Sequence, residues 1–376
     1  MPTGEARGER VSQRSVGLDV IRAACVAGVV ATHFSPFFFP AEGIGALMRN
    51  GLSLGSFGVT GFFLLSAYLL MGILLKEVGT GQKQVWKRYW IRRSLRIWPL
   101  YFLAILVVIV VSLITATPVS GLPWLATFTY NWVSWREPSL FLSHFWSMGA
   151  EEQLYVLIPI LAFVAFKWRW PIIVALIAIA PVSRLFVSEH FPYPAVWNFT
   201  TSHLDVFAIG ILIASLDYNQ SLPWLRVRAV IASSRWVAGG VGVLALVLAG
   251  AAVLNPQWVF GSAAASWTYL AVALVWTWLL VKLTQRPRTE IGAPTRAAVW
   301  MGQRSYGIYV YHWPAAVLGT WLVTSTAIPA PLVGVVLIAV VLAFSEVSFR
   351  WIESPFLRLK SRFSRVDAPI AEKSAP

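Results

Sequence analysis

GLDVIRAACVAGVVATHF, residues 17–34, is apolar over most of its length and yet carries Asp19, Arg22 and His33. A run of this kind is long enough to cross a hydrocarbon layer as a helix. Eleven residues separate Arg22 from His33, almost three helical turns, so both side chains lie on one face, roughly 16 Å apart along the axis. Ionisable groups inside a bilayer are expensive, and those found there line cavities or pair with one another. A cation towards one end of the helix and an imidazole towards the other suggest chemistry carried out across a membrane. The same residues also fit a plainer arrangement, an Asp19–Arg22 pair at the helix end with His33 reaching the interface.

The rest of the chain has the same character, with 376 residues that are 57% hydrophobic and only 12% charged. Apolar runs recur near residues 17–36, 54–75, 97–116, 145–166, 171–187, 203–216, 236–253, 262–281, 305–325 and 330–349. The fold class this predicts is all-α, a polytopic integral membrane protein of about ten transmembrane helices. The run at 203–216 is short for a bilayer and would be tilted, broken or extended into its flanks. Residues 1–16 read as a basic N-terminal tail, 17–356 as the membrane domain, and 357–376 as a basic, then Ala/Pro/Ser-rich tail of disordered composition. No internal repeat is visible, which disfavours an inverted-repeat transporter.

Lysine and arginine accumulate in cytoplasmic loops. With the N-terminus inside, 26 of the 30 basic residues fall in the leading tail, in 76–96, 167–170, 217–235 and 282–304, and beyond 350. The outer loops hold only Arg49 and Arg136, while Arg22 and Arg184 lie within spans. Both termini are therefore expected in the cytoplasm, and the chain in the inner (plasma) membrane as a multi-pass protein. The net charge of +14 is then a consequence of topology and gives no reason to expect a nucleic-acid partner. The single cysteine, Cys25, permits no intramolecular disulfide.

Between the second and third spans lies KQVWKRYWIRRSLRIWPLY, in which Arg92, Arg93 and Arg96 fall within one helical turn among Trp86, Tyr89, Trp90 and Trp98. Guanidinium forks bind phosphate oxygens in pairs, and aromatic faces stack on purines or on guanidinium itself. The segment suits a nucleotide-bearing polyanion arriving from the cytoplasm, and equally a positive-inside stop with an interfacial aromatic belt. In HFWSMGAEEQLY, residues 144–155, the adjacent Glu151 and Glu152 cannot both face lipid cheaply. One of them would point into a polar cavity and orient the His33 imidazole; a polar helix start near the N-terminal dipole is the alternative. Tyr306, Tyr309 and His312 make one face of the ninth span polar. His33, His144 and His203 all map to the outer side without tight ligand spacing, so no metal site is expected.

Seven segments in order, the Arg22/His33 pair, FGVTGFFLLSAYLL at 57–70, RRSLRIWPLY at 92–101, HFWSMGAEEQLY at 144–155, LDVFAIG at 204–210, GQRSYGIYVYHWP at 302–314 and FRWIESPF at 349–356, resemble the successive signatures of the acyltransferase type three family of integral membrane O-acyltransferases. The resemblance covers residues 17–357. It implies an enzyme that takes an acyl group, read here as acetyl, from cytoplasmic acyl-coenzyme A and places it on a hydroxyl of a glycan or a secreted small molecule. It carries catalytic importance to Arg22, His33, Glu151 and Glu152, and cofactor binding to Arg92, Arg93 and Arg96. Asp19, Ser66, Asp205, Tyr306, His312 and Glu353 match further motif positions with substrate-binding or structural roles. Ala67, Val20, Gly149 and His203 depart from the family pattern, and His203 would bear on acceptor recognition. A thioester is already activated, so transfer needs a base for the acceptor hydroxyl and donors for the developing oxyanion; His33 is the expected base. A transporter or flippase using Arg22, His33, Glu151 and Asp205 is the alternative, which the phosphate-binding arginines disfavour. Besides membrane lipid, the expected partners are acyl-coenzyme A and the hydroxyl acceptor.

Overall fold

The computed structural model describes residues 4–81, 83–261, 264–285 and 292–363. Among these the chain is helical throughout its ordered elements, with no strand. In chain order the α-helices are α1 (Gly4–Phe38), α2 (Gly43–Ser53), α3 (Gly58–Gly79), α4 (Val85–Thr115), α5 (Leu122–Ala126), α6 (Trp146–Phe163), α7 (Phe166–His190), α8 (Ala195–Asn198) and α9 (Leu204–Asn219). They continue with α10 (Leu222–Ser233), α11 (Arg235–Leu254), α12 (Pro256–Gly261), α13 (Ala265–Gln285), α14 (Ala293–Gln303), α15 (Ser305–Ser325), α16 (Ala330–Ser348) and α17 (Ser354–Arg362). A π-helical turn, Phe349–Glu353, joins α16 to α17.

Eight helical segments among the described residues are long and apolar enough to cross a membrane: Val16–Phe38, Gly43–Gly79, Val85–Thr115, Phe166–His190, Thr200–Asn219, Arg235–Leu254, Ser266–Gln285 and Ala330–Lys360. The chain is thus an all-α polytopic membrane protein. The two further expected spans correspond to α6 and α15, whose apolar character is broken by Glu151, Glu152 and Gln153 in one and by Tyr306, Tyr309 and His312 in the other. Both helices are instead lined up against neighbours, with Ala150, Leu154, Tyr155 and Ile158 of α6 and Ile308, Val310 and Ala316 of α15 buried in the core. The short run at 203–216 is extended at its front by a 3-10 turn, Thr200–His203, leading into α9.

Packing follows the rule for membrane helices, in which small residues permit close approach because lipid offers little hydrophobic drive. α3 packs against α9, and at their crossing a Cβ on Gly210 would run into the Leu64 carbonyl and the Ala67 methyl. The periphery differs: along α11 only Ala252 is buried, so its apolar side chains face outward, as lipid contact requires. α6 ends beside α7, where Arg169 donates to the carbonyls of Leu161 (2.8 Å), Ala162 (3.3 Å) and Val164 (2.7 Å). That guanidinium satisfies carbonyls the helix end leaves unpaired.

Two expectations change in detail. The arginine segment is no separate loop helix; it forms the first turns of the 31-residue α4 and runs on into the span without interruption. The stretch from 357, expected to be disordered, continues as α17 to Arg362 and packs against α4, because Arg88 and Arg92 both donate to the Phe363 carbonyl, at 3.3 and 2.9 Å. Residues 364–376 of that tail, and residues 1–3 of the leading one, lie outside the described residues.

Candidate active site

α1, α3, α4, α6, α15 and α17 surround a cavity of about 480 Å³. Its walls are largely aliphatic and aromatic, from Val59, Phe62, Leu65, Leu69 and Leu70 of α3 and Ile97 of α4. Against that apolar lining stand the charged and hydroxyl groups of Arg22, Ser66, Arg92, Arg93, Arg96, Ser147, Glu151, Tyr306, Tyr309 and Lys360. Few polar groups in a mostly apolar concavity is the usual composition of a small-molecule site.

The three arginines of α4 are held in three different ways. Arg92 is buried and ion-paired with Glu77 of α3, at 2.8 Å, besides its bond to Phe363. Arg93 lies flat over the Tyr155 ring, its guanidinium carbon 3.7 Å from the centroid, and reaches Glu151 at 3.4 Å. Arg96 lines the cavity with neither an ion pair nor a hydrogen bond among the described residues. A cluster that reads as uniform in sequence therefore contains two compensated cations and one available to a ligand anion.

Glu151 accepts a 2.6 Å hydrogen bond from Ser66 as well as the Arg93 contact. It is thus tied to α3 and α4, and the structure does not bring it to His33. Glu152 points away from the cavity lining and is buried, with Oε1 lacking a hydrogen-bond partner among the described residues. Asp19 pairs with Arg22 one turn along α1, and Arg22 faces the cavity. Tyr306 donates to the Ile97 carbonyl at 2.7 Å, joining α15 to α4. Glu353, in the π-helical turn, is buried beside Gly307 of α15 and outside the cavity lining. Asp205 is remote from the cavity and completely buried against Arg184.

At the end of the cavity away from Arg92 and Lys360, Ser147 and Tyr309 bring their hydroxyls to 2.6 Å of each other. Both oxygens also lie near the carbonyl of His144, at 3.2 and 3.1 Å, which accepts from whichever hydroxyl does not donate to the other. One turn further along α15, His312 lies with Nδ1 2.6 Å from the Tyr309 carbonyl oxygen and Nε2 3.2 Å from His33 Nδ1. The His33 ring meets Trp313 edge to face, with centroids 5.0 Å apart, and the indole N–H of Trp313 donates to the Leu140 carbonyl at 2.9 Å. His144 packs against His312 at 5.2 Å, with no hydrogen-bond partner for either ring nitrogen. Among the described residues no group of three or more His, Cys, Asp or Glu is placed to hold a metal ion.

The order of groups along the helices is thus cations, a carboxylate with a serine, a hydroxyl pair, then imidazoles. Such a series can hold an anionic carrier at one end and remove a proton at the other. A family model described as an acyltransferase domain matches residues 15–348, most of the chain. The chain belongs to this acyltransferase family. The chain is 27% identical over 374 residues to the peptidoglycan O-acetyltransferase OatA of Listeria monocytogenes, a match covering 93% of this chain and 57% of the relative. It is 25% identical over 362 residues to the O-acetyltransferase OatA of Staphylococcus aureus, covering 90% and 56%. The chain therefore spans little more than half the length of these curated relatives. No solved structure matches it.

Ser147, Glu77 and Lys360 line the cavity and escaped sequence reasoning. Glu77 had a readable signal, since a helical hairpin folding back near residues 80–84 sets the end of α3 beside the start of α4. Lys360 had none, because its segment looks disordered by composition.

Proposed function

We propose that this acyltransferase takes an acetyl group from acyl-coenzyme A at the arginine end of the cavity and transfers it to a hydroxyl presented at the opposite end, with His33 as general base. The observation that carries the reading is the cavity itself, bordered by Arg92, Arg93, Arg96 and Lys360 at one end and by Ser147 and Tyr309 at the other, where the His312 ring packs on Tyr309 and His33 lies behind it, outside the lining. The apolar walls suit a pantetheine arm and its thioester, and Arg96 and its neighbours suit the carrier's phosphates outside the mouth. With the basic residues cytoplasmic, the donor enters from the cytoplasm and the acceptor from the outer face of the inner membrane. The relatives' names favour a glycan hydroxyl as acceptor; a secreted small molecule remains within the same chemistry.

In the transfer step the acceptor's hydroxyl proton moves to His33 as its oxygen bonds to the thioester carbon. The C–S bond then breaks, and the thiolate takes the proton back from the imidazolium, regenerating neutral His33 and releasing coenzyme A thiol. The hydroxyls of Tyr309 and Ser147 are the nearest donors for the oxyanion formed in between. Arg22, held by Asp19, adds positive potential along the path. No acyl-enzyme intermediate is needed, since the thioester is activated already.

Purified protein in nanodiscs, mixed with radiolabelled acetyl-coenzyme A, tests the donor by filter binding, and mass spectrometry of glycans and secreted metabolites from cells with and without the protein tests the acceptor. Saturable binding and an acetyl mass increment dependent on the protein are expected. Absence of binding, together with uptake of a labelled solute into proteoliposomes, would replace this reading with that of a transporter or flippase.

A further inference from the structure

The structure fixes the protons on the two facing imidazoles. A backbone carbonyl can only accept, so the 2.6 Å contact between His312 Nδ1 and the Tyr309 oxygen places the hydrogen on Nδ1. In the neutral ring Nε2 is then a bare acceptor. That nitrogen is 3.2 Å from His33 Nδ1, whose hydrogen faces it while the same ring also bonds the Val29 carbonyl one turn back along α1, leaving the lone pair of His33 on Nε2, the nitrogen turned away from the pair.

No carboxylate takes part. Among the described residues, neither imidazole is hydrogen-bonded to Asp or Glu; of the two expected partners, Glu151 is engaged by Ser66 and Arg93, and Glu152 is buried with Oε1 unpartnered. The groups facing the pair are His144 from the start of α6, Tyr309 and Trp313 from α15, all uncharged as placed, and His312 itself is completely buried. A buried imidazole locked between a helix carbonyl and a second imidazole has one orientation and one tautomer available.

We infer that His312 is the positioning residue for His33: through the line from the Tyr309 carbonyl to His312 to His33 it holds the base in the tautomer whose Nε2 accepts the acceptor's hydroxyl proton. This rests on the proposal that His33 is the base. When His33 Nε2 gains that proton, the new charge is spread along the same line to the carbonyl, in place of the carboxylate that orients histidine in many hydrolases. A consequence is that α15 sets the catalytic geometry of α1, and the spacing of Tyr309 and His312 within one turn is what makes the line possible.

Four variants test the inference, with acyl transfer, KM values and detergent melting measured together. His312→Leu fills the space without an acceptor and is expected to lower kcat about 10- to 100-fold, the loss of one hydrogen bond to a group that becomes charged, with KM for acetyl-coenzyme A within about twofold of wild type. His312→Gln, whose amide reaches as far as Nε2, is expected to recover kcat to within about fivefold of wild type, since it restores the acceptor. Should the Leu variant fail to fold, His312→Asn serves in its place, because its shorter amide keeps the Tyr309 contact and falls short of His33. The double variant His33→Ala/His312→Leu is expected to be no slower than His33→Ala alone. Equal rates for the Leu, or Asn, and Gln variants, or fully additive losses in the double variant, overturn the inference. If His33→Ala alone transfers at the wild-type rate, the base assignment itself falls; a slow His33→Ala beside a normal His312→Leu removes only the role of His312.

Discussion

Two intramembrane ion pairs in this protein have the same composition and opposite constructions. Arg184 and Asp205 meet in a bidentate fork, at 2.7 and 3.2 Å, both completely buried, with a further hydrogen of each terminal guanidinium nitrogen on the carbonyls of Ser202 and Ser266, the Tyr269 ring against its face, and Nε without a partner among the described residues. Arg93 and Glu151 make one loose 3.4 Å contact, Glu151 also accepts from Ser66, and both border a cavity beside Arg96, which has no direct ion pair among the described residues. The first pair lies outside the cavity lining and holds α7, α9 and α13 together. The second keeps donors and acceptors within reach of an open space, which is where differential binding of substrate and transition state must be built.

The sharpest way to separate the two regions is to damage each and read two quantities. His33→Ala, on the open side, is expected to reduce acyl transfer by roughly two to four orders of magnitude with an unchanged melting temperature in detergent. Near-normal turnover in the purified variant would take His33 out of the mechanism. Asp205→Ala, on the closed side, leaves a buried guanidinium without its partner and is expected to cost about 3–5 kcal/mol of stability. Thermal melting should show that loss, along with low yield, while any protein that does fold binds acetyl-coenzyme A normally. Weak donor binding in a well-folded Asp205→Ala protein would mean that the closed pair belongs to the site after all.

Arg96 probes the open side more gently. Arg96→Lys keeps the positive charge and loses the planar fork, so insertion and melting are expected to be unchanged while the Kd for acetyl-coenzyme A rises about tenfold, the value of one charge-assisted hydrogen bond. The same change at Arg92, whose fork is already occupied by Glu77 and the Phe363 carbonyl, is expected to lower stability and to leave Kd nearly untouched. Reversal of that order would break the distinction drawn among the three arginines.

Sequence alone reached the fold class and named many of the residues that line the cavity but could not tell these pairs apart. Length and hydropathy expose helices facing lipid, and so α4, α7, α11 and α16 are readable. They also mark Asp19, Arg22, His33, Glu151 and Asp205 as unusual, because charge in an apolar run is conspicuous wherever it points. What they do not carry is partnership across elements. Asp205 and Glu151 each follow an apolar helix pattern, and only the approach of α7 in one case and of α3 and α4 in the other decides which becomes inert. The expected link from Glu151 or Glu152 to His33 depends on the same information: Ser66, eighty-five residues away in sequence, engages Glu151, while His312, 279 residues from His33, faces the imidazole.

The smallest expected effect is at Ser66, and it decides a point of mechanism. Its hydroxyl donates to Glu151 at 2.6 Å on the cavity wall, so its oxygen is turned to a carboxylate that could in principle activate it as a nucleophile. A direct transfer from thioester to acceptor gives it no such task. Ser66→Ala then removes one hydrogen bond from a carboxylate that keeps its Arg93 contact and borders a cavity open to water. The cost is expected at about 1 kcal/mol, seen as a change of about threefold to tenfold in kcat/KM with melting unaffected. An acyl-enzyme route through Ser66 predicts something else, a collapse of turnover by several orders of magnitude and loss of any covalent acetyl mass on the protein when the acceptor is withheld. Intact-protein mass spectrometry of wild type and Ser66→Ala after incubation with acetyl-coenzyme A distinguishes the two, because an 85-residue link that merely steadies Glu151 cannot produce a covalent adduct.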